Sequence, residues 1–340
     1  MKALVLTDYG GPEVLKVKEW PDPTPGPGKV RVAVHSAGVN FAELMARIRL
    51  YPDAPKPPSV LGYEVSGIVE SVGEGVDAAL VGTRVMGATR FGGFAELAVT
   101  DPRDLIPLPD SMSFDEGACI PVVYGTAYGA ICKGGNVEPG EVVVIHAAAG
   151  GVGTAAIQLA KHRGATIIGT ASAGKHDALK KMGVHHTIDY RNEDVTQSVR
   201  SFLKGSGPDV ILDARGGKDI KESYRLLRAG GRLVIYGVNT MVTGEKLNLF
   251  AAASVWWNTP KFDGIDMMQS SKTVVGLNML KYWDDQGTLE SVCKPLAKLT
   301  AEGVIKPVLG EVFPLEKAPD AHRFLLERKN VGKVILRVRP

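Results

Sequence analysis

Eight residues limit the fold of this chain more than any others. His146-Ala147-Ala148-Ala149-Gly150-Gly151-Val152-Gly153 follows the apolar run Val142–Ile145 and precedes the helix-forming stretch Thr154–Lys161. A glycine-rich turn between a strand and a helix lets the backbone approach a pyrophosphate and aims the first helical amides at it. Set against GxGxxG, the turn reads Ala148-x-Gly150-x-x-Gly153, with alanine in place of the first glycine. Such a motif is weak alone and strong at a strand-to-helix junction with further strand–helix units after it. Gly150 is expected to admit the phosphates and Gly153 to let helix and strand pack closely. The competing reading is a tight turn with no ligand. Val142–Ala160 is also apolar for nearly the length of a membrane span, but His146, Gln158 and three glycines favour strand, turn and helix.

The chain around this motif has two textures. Residues 142–145, 166–170, 187–190, 210–213 and 233–236 are strand-like apolar runs, with 274–277 a sixth, and helix-length segments such as 152–162 and 175–182 lie between them. That succession predicts a doubly wound parallel sheet. Before residue 123, short alternating runs separated by glycine and proline predict an all-β region, with strands near 14–20, 29–34, 65–71, 84–86 and 94–99 and a prolyl loop at 51–58. The predicted division is a catalytic domain over 1–122, completed by 280–340, and a dinucleotide-binding Rossmann domain over 123–279. A length of 340 residues suits two domains.

Composition excludes several classes. A formal net charge of +3 gives no reason to expect a nucleic-acid partner. Cys119, Cys132 and Cys293 are too dispersed for a disulfide framework or a zinc knuckle, and they fit a reduced, cytoplasmic setting. The N-terminal residues reach Asp8 too early for a signal peptide. No metal is expected. His185 and His186 are adjacent, so on a strand they face opposite ways. His146 reads as a satisfied core histidine, and His35 and His322 stand alone. Glu64, in Gly62-Tyr63-Glu64, is the one buried-looking acid of the first domain, and pairing with the backbone or an arginine is as good a reading as a chemical role.

The second strand of the Rossmann unit bears on cofactor choice. A carboxylate about 20 residues beyond the glycines would bind a ribose 2′-hydroxyl. Here Gly169-Thr170-Ala171-Ser172-Ala173-Gly174-Lys175 has none. Ser172 and Lys175 suit a 2′-phosphate, with Tyr190 closing the pocket, so NADPH is expected over NADH. The bland alternative for Lys175 is a solvated lysine in a first helical turn.

These residues resemble the medium-chain dehydrogenase/reductase superfamily, and within it the zinc-independent quinone oxidoreductases. The likeness spans nearly the whole chain through Ala37-Gly38-Val39-Asn40, Leu61-Gly62-Tyr63-Glu64, Gly92-Gly93-Phe94-Ala95-Glu96, Thr126-Ala127-Tyr128, the glycine turn and Gly332-Lys333-Val334. It implies a GroES-like catalytic domain beside the Rossmann domain. Zinc-dependent members carry a ligating cysteine where this chain has Asn40, and a four-cysteine lobe that it lacks. Residues 40–47, 170–176, Trp256-Trp257-Asn258 and 329–333 are similar to the vesicle amine transport protein branch, also called synaptic vesicle membrane protein, while Tyr282–Gln286 departs from it. Members of that branch look like reductases and have been associated with vesicle membranes and lipid handling.

By the resemblance, Tyr51, Gly150, Gly151, Val152, Ser172, Lys175 and Tyr190 contact the cofactor, and Asn40 and Thr126 neighbour the nicotinamide. Gly237, Leu277, Asn278 and Lys333 border the same end. Asn40, Tyr51 and Tyr63 are the catalytic candidates. Without a Lewis acid, hydride must pass to an acceptor that is already electrophilic, a quinone or an α,β-unsaturated carbonyl. Asn40 or a tyrosine would supply one hydrogen bond and Tyr51, Tyr63 or solvent the proton. The cleft bordered by Asn40, Tyr51, Tyr63, Thr126 and Asn278 is expected to be roomy and mostly apolar. The rival reading is a nucleotide-binding, lipid-handling or vesicle-associated protein with little activity. It turns on whether Met241–Met268 is exposed or lies in a core or interface, the latter being expected of the Trp pair. A sheet-edge sixth strand points to a homodimer.

Overall fold

The computed structural model describes residues 1–339, and the chain divides into two units. One comprises Met1–Gly125, Gly244–Leu247 and Leu280–Pro340, and the other Thr126–Thr243 and Asn248–Met279.

The second unit is built on six parallel strands: β1 (Val142–Ile145), β2 (Thr166–Ala171), β3 (His186–Asp189), β4 (Val210–Asp213), β5 (Arg232–Ile235) and β6 (Thr273–Gly276). Their spatial order is β3-β2-β1-β4-β5-β6. The order reverses at β1, between β2 and β4, and a crevice at such a switch point is where open α/β sheets take ligands. Residues Val144, Ile168, Ile211 and Leu233 pack into one core on the central strands. Both faces of those strands are covered, which is why they read as continuous apolar runs rather than alternating ones. The helix α1 (Gly151–His162) follows β1 through the glycine turn. Val142–Ala160 is therefore strand, turn and helix, and among the described residues no helix is long and apolar enough to cross a membrane.

The first unit is mostly antiparallel β structure. Its larger sheet runs Leu309–Pro314, Lys333–Arg337, Val30–Val39, Glu64–Val72, Arg84–Ala88, Leu105–Pro107, with Leu97–Thr100 also pairing Val30–Val39. The C-terminal strand Lys333–Arg337 thus returns to this unit, antiparallel to Val30–Val39. A smaller sheet joins Leu15–Glu19, Lys2–Leu6 and Ser59–Val60. Leu4, Leu6, Leu44, Leu61 and Phe94 lie in the core beneath. The strand Lys2–Leu6 and the helix Phe41–Arg47 were not legible in the sequence pattern. Both are short, and the first is apolar without alternation because its inner and outer faces are both covered.

Candidate functional site

The candidate residues fall into two groups, one in each unit. In the Rossmann unit they line the carboxyl edge of the sheet. The left-handed residue of the phosphate turn is Ala147, with φ of 53°, one position before the alanine that the motif alignment put in the first glycine's place. An L-residue held there costs on the order of 1 kcal/mol and is a mark of functional turns. Gly150 caps α1, and its amide donates to the Ala147 carbonyl at 2.9 Å. A Cβ on Gly153 would lie 2.5 Å from the carbonyl oxygens of both Ala147 and Ala148, so only glycine lets α1 start this close to β1. Gly151 and Val152 open the helix.

β2 and β3 pair with Ala171 opposite Asp189, so Ser172 and Tyr190 are the next residues beyond the paired edge. Lys175 ends the short turn that leads into the helix His176–Met182. Asp189 ends β3 at this corner, and its backbone amide donates to Glu193 Oε1 at 2.8 Å. Its Oδ1 accepts from the Arg191 amide at 3.1 Å and its Oδ2 from the Asn192 side chain at 2.7 Å, and these contacts hold its carboxyl below the usual range. The carboxylate is thereby turned into its own loop. The Arg191 guanidinium stands 5.9 Å from the Tyr190 ring and adds a cation that the sequence reading did not single out. Gly237, Leu277 and Asn278 sit just past β5 and β6, whose ends pair Ile235 with Gly276. Thr126 lies in the helix Pro121–Tyr128 of the same chain region.

His146, at the end of β1, is fully enclosed. Its Nδ1 meets the Thr170 hydroxyl at 3.2 Å, and its Nε2 meets Arg215 Nη2 at 3.0 Å and Ser223 Oγ at 3.3 Å. Burial and the Arg215 charge keep the imidazole neutral. Asp213 accepts from Ser223 at 2.8 Å and from the Arg215 amide at 2.7 Å. This network braces the ends of β1, β2 and β4, and it makes His146 a satisfied interior histidine.

In the other unit, strand register assembles a buried polar cluster. Val334 pairs with Val39, which sets Lys333 opposite Asn40, and Val65 pairs with Ala37, which sets Glu64 opposite Gly38. A Cβ on Gly38 would fall 2.5 Å from Glu64 Oε1, so the glycine makes room for that carboxylate. Lys333 Nζ lies 2.6 Å from Glu64 Oε1 and donates to Asn40 Oδ1. The Asn40 amide donates to Glu64 Oε1 at 3.1 Å, and the Val122 backbone amide donates to Glu64 Oε2 at 2.8 Å. Glu64 thus has the backbone contact expected of it, and its charged partner is a lysine where an arginine was the alternative. Asn40 is held at both ends of its amide, which makes it a brace and leaves little of it for a substrate.

Glu43 completes the cluster and was missed in the sequence, where it is one acid in a helical stretch. Asn40 caps the helix Phe41–Arg47, and its backbone amide donates to Glu43 Oε2 at 2.7 Å. Glu43 is wholly buried, and burial pushes its carboxyl up to about 7 against the pull of Lys333. Tyr51 and Tyr63 meet edge to face with ring centroids 6.2 Å apart, and Tyr63 also packs on Phe91. Burial raises both phenols, Tyr51 to about 12, with further upward pushes from the charges of Asp53 and Glu43 on Tyr51 and of Glu43 on Tyr63. The Tyr63 hydroxyl is buried without a well-aligned hydrogen-bond partner among the described residues.

The stretch Met241–Met268 lies largely outside the core, with Val242 and Ala252 buried and Phe262 packed against the core of the second unit. In the helix Leu249–Asn258, Phe250 is 91% and Trp257 88% exposed, and Leu249, Trp256, Ile265 and Met268 are exposed with them. β6 forms one edge of the sheet.

Comparison with known proteins agrees with this architecture. Residues 26–110 match the alcohol dehydrogenase GroES-like domain, and residues 151–282 match a model described as zinc-binding dehydrogenase. The human synaptic vesicle membrane protein VAT-1 homolog is 40% identical over 342 residues, 99% of this chain and 86% of that protein. Rat quinone oxidoreductase is 30% identical over 99% of this chain and 97% of its own length. The crystal structure of Escherichia coli quinone oxidoreductase complexed with NADPH superimposes with a TM-score of 0.85 at 29% identity, covering 99% of this chain and all of that one. Zinc does not fit the residues present. Among the described residues no three His, Cys, Asp or Glu side chains converge, and Lys333 already places an ammonium against Glu64 and Asn40, where a second cation would be repelled. The chain belongs to the medium-chain dehydrogenase/reductase superfamily, as a quinone-oxidoreductase-like member with the VAT-1 homologues among its relatives.

Proposed function

We propose that the protein is an NADPH-dependent, zinc-independent reductase of quinones or α,β-unsaturated carbonyls. The observation that carries this reading is the Asn40–Glu64–Lys333 cluster: an internal ion pair stands where a Lewis acid would have to act. With nothing to steady an alkoxide, the acceptor must be electrophilic on its own. NADPH, when bound, supplies the hydride. Ala147–Val152 would hold its pyrophosphate, and Ser172, Lys175, Tyr190 and Arg191 its 2′-phosphate, a corner where the Asp189 carboxylate is taken up by its own loop. Thr126, Gly237, Leu277 and Asn278 would border the nicotinamide. Tyr51, partly exposed and kept protonated, is the proton donor, and Tyr63 backs it. Asn40 and Lys333 would position rather than react.

The test is steady-state NADPH oxidation across quinones, enones and aldehydes. Turnover with quinones or enones and none with simple alcohols in the reverse direction is expected. Robust alcohol oxidation contradicts the reading.

A second reading is favoured by the apolar surface at Leu249, Phe250, Trp256 and Trp257, which is larger than scattered surface hydrophobics require. That surface suits a lipid surface or a second copy of this chain, the latter adding strand pairing at the β6 edge. Sedimentation with phospholipid vesicles, without quinone-dependent turnover, would make lipid handling the better account.

A further inference from the structure

The buried cluster in the GroES-like unit holds two carboxylates and one ammonium. Their geometry decides which carboxylate has the counter-ion. Glu64 has Lys333 Nζ at 2.6 Å, the Asn40 amide at 3.1 Å and the Val122 amide at 2.8 Å. Glu43 accepts from the Asn40 backbone amide at 2.7 Å and has a long 3.4 Å approach from the Asn40 side chain. Among the described residues no salt bridge reaches Glu43, and none of its surface is exposed. A buried carboxylate without a counter-ion takes up a proton rather than stay charged. Each group around it has a defined part. Lys333 favours the charged form and Glu64 opposes it, while a charge on Glu43 in turn raises the Tyr51 and Tyr63 phenols. Asp53 and Asp284 add to the field on Tyr51, and Cys119 feels Lys333 and Glu64.

We propose that Glu43 is a positioning residue of the reductase site: its carboxylic acid, neutral in the active form, leaves the Tyr51 phenol able to give up its proton, and its ionisation withholds that proton. The inference rests on the reductase reading above. In the step concerned, the acceptor gains one hydride, which carries two electrons, and NADPH becomes NADP+. The Tyr51 O–H bond breaks, the proton bonds to the acceptor oxygen, and water restores the phenol. A negative charge on Glu43 opposes the transient phenolate, so proton donation slows as Glu43 ionises. The neutral-range value of Glu43 puts that change in the working pH range of most proteins.

Two measurements on the full-length protein test this. Infrared spectroscopy of the protein without substrate should show a protonated-carboxyl band that titrates near neutral pH and is missing from Glu43→Gln. The kcat for quinone reduction should fall by a factor on the order of three to ten across the same pH interval, with the KM for NADPH unmoved, and Glu43→Gln should flatten that profile. A wild-type protein with no carboxyl band titrating near neutrality overturns the proposal and needs no variant to do so. A profile that Glu43→Gln leaves unchanged also overturns it, while the reductase reading stands. Absence of any quinone or enone turnover removes the reductase reading and the proposal together, and the infrared band, read without substrate, tells that failure from the other two.

Discussion

At the scale of single residues, charge state follows from who reaches the counter-ion first. Lys333 is 293 positions from Asn40 in sequence yet hydrogen-bonds to it, and it is ion-paired with Glu64, so it offsets only part of the cost of burying Glu43. Its folded value of about 7 lies above the ordinary 4.5. The stability it lends is therefore complete below about 4.5 and lost as pH rises toward about 7. Glu43→Gln should gain stability relative to the wild type across that window, by up to about 3 kcal/mol at neutral pH, as denaturant unfolding at several pH values would read. A constant difference between the two proteins at every pH would contradict this. No sequence pattern could have marked Glu43. In Asn40-Phe41-Ala42-Glu43 it reads as an ordinary capping acid, and only the strand pairing of residues 37–40 with 64–65 and 333–337 encloses it. The nearness of Ser172 and Tyr190, by contrast, follows from the pairing of two neighbouring strands whose apolar runs are readable in the sequence. NADPH should bind at least severalfold more tightly than NADH in fluorescence titration, and Lys175→Ala should narrow that gap. Equal affinities in the wild type would remove the phosphate assignment.

At the scale of elements, β1, the glycine turn and α1 act as one unit. The turn works because Ala147 takes a left-handed conformation and Gly153 offers no Cβ to the two carbonyls beneath it. Gly153→Ala should destabilise the protein by about 1–3 kcal/mol through overpacking and weaken nucleotide binding as α1 is pushed outward, measured by thermal unfolding and NADPH titration. Wild-type stability and affinity in that variant would show that the tight start of α1 is dispensable. The central strands of this unit were legible because they are buried on both faces and so form nearly unbroken apolar runs. The helix Leu249–Asn258 is apolar as well. Its apolar composition suggests a core or a contact, whereas in the single chain Trp256 and Trp257 face outward. Apolar composition reports that a surface wants cover and does not say from what.

At the scale of the whole molecule, the family pairs a GroES-like unit with a Rossmann unit, and the proposed function turns on the lysine that an asparagine and a glutamate hold in the GroES-like unit. Its ammonium cannot take a substrate oxygen as a ligand the way a metal does. The central claim is that hydride transfer here needs NADPH and an electrophilic acceptor and no zinc. The most direct measurement is a single-turnover experiment on protein whose zinc content has been determined by elemental analysis after chelation. The account predicts roughly one hydroquinone, or one saturated carbonyl, formed per NADPH consumed by zinc-free protein, at the same rate as before chelation. Reduction that disappears with the chelated metal and returns when zinc is added would contradict it.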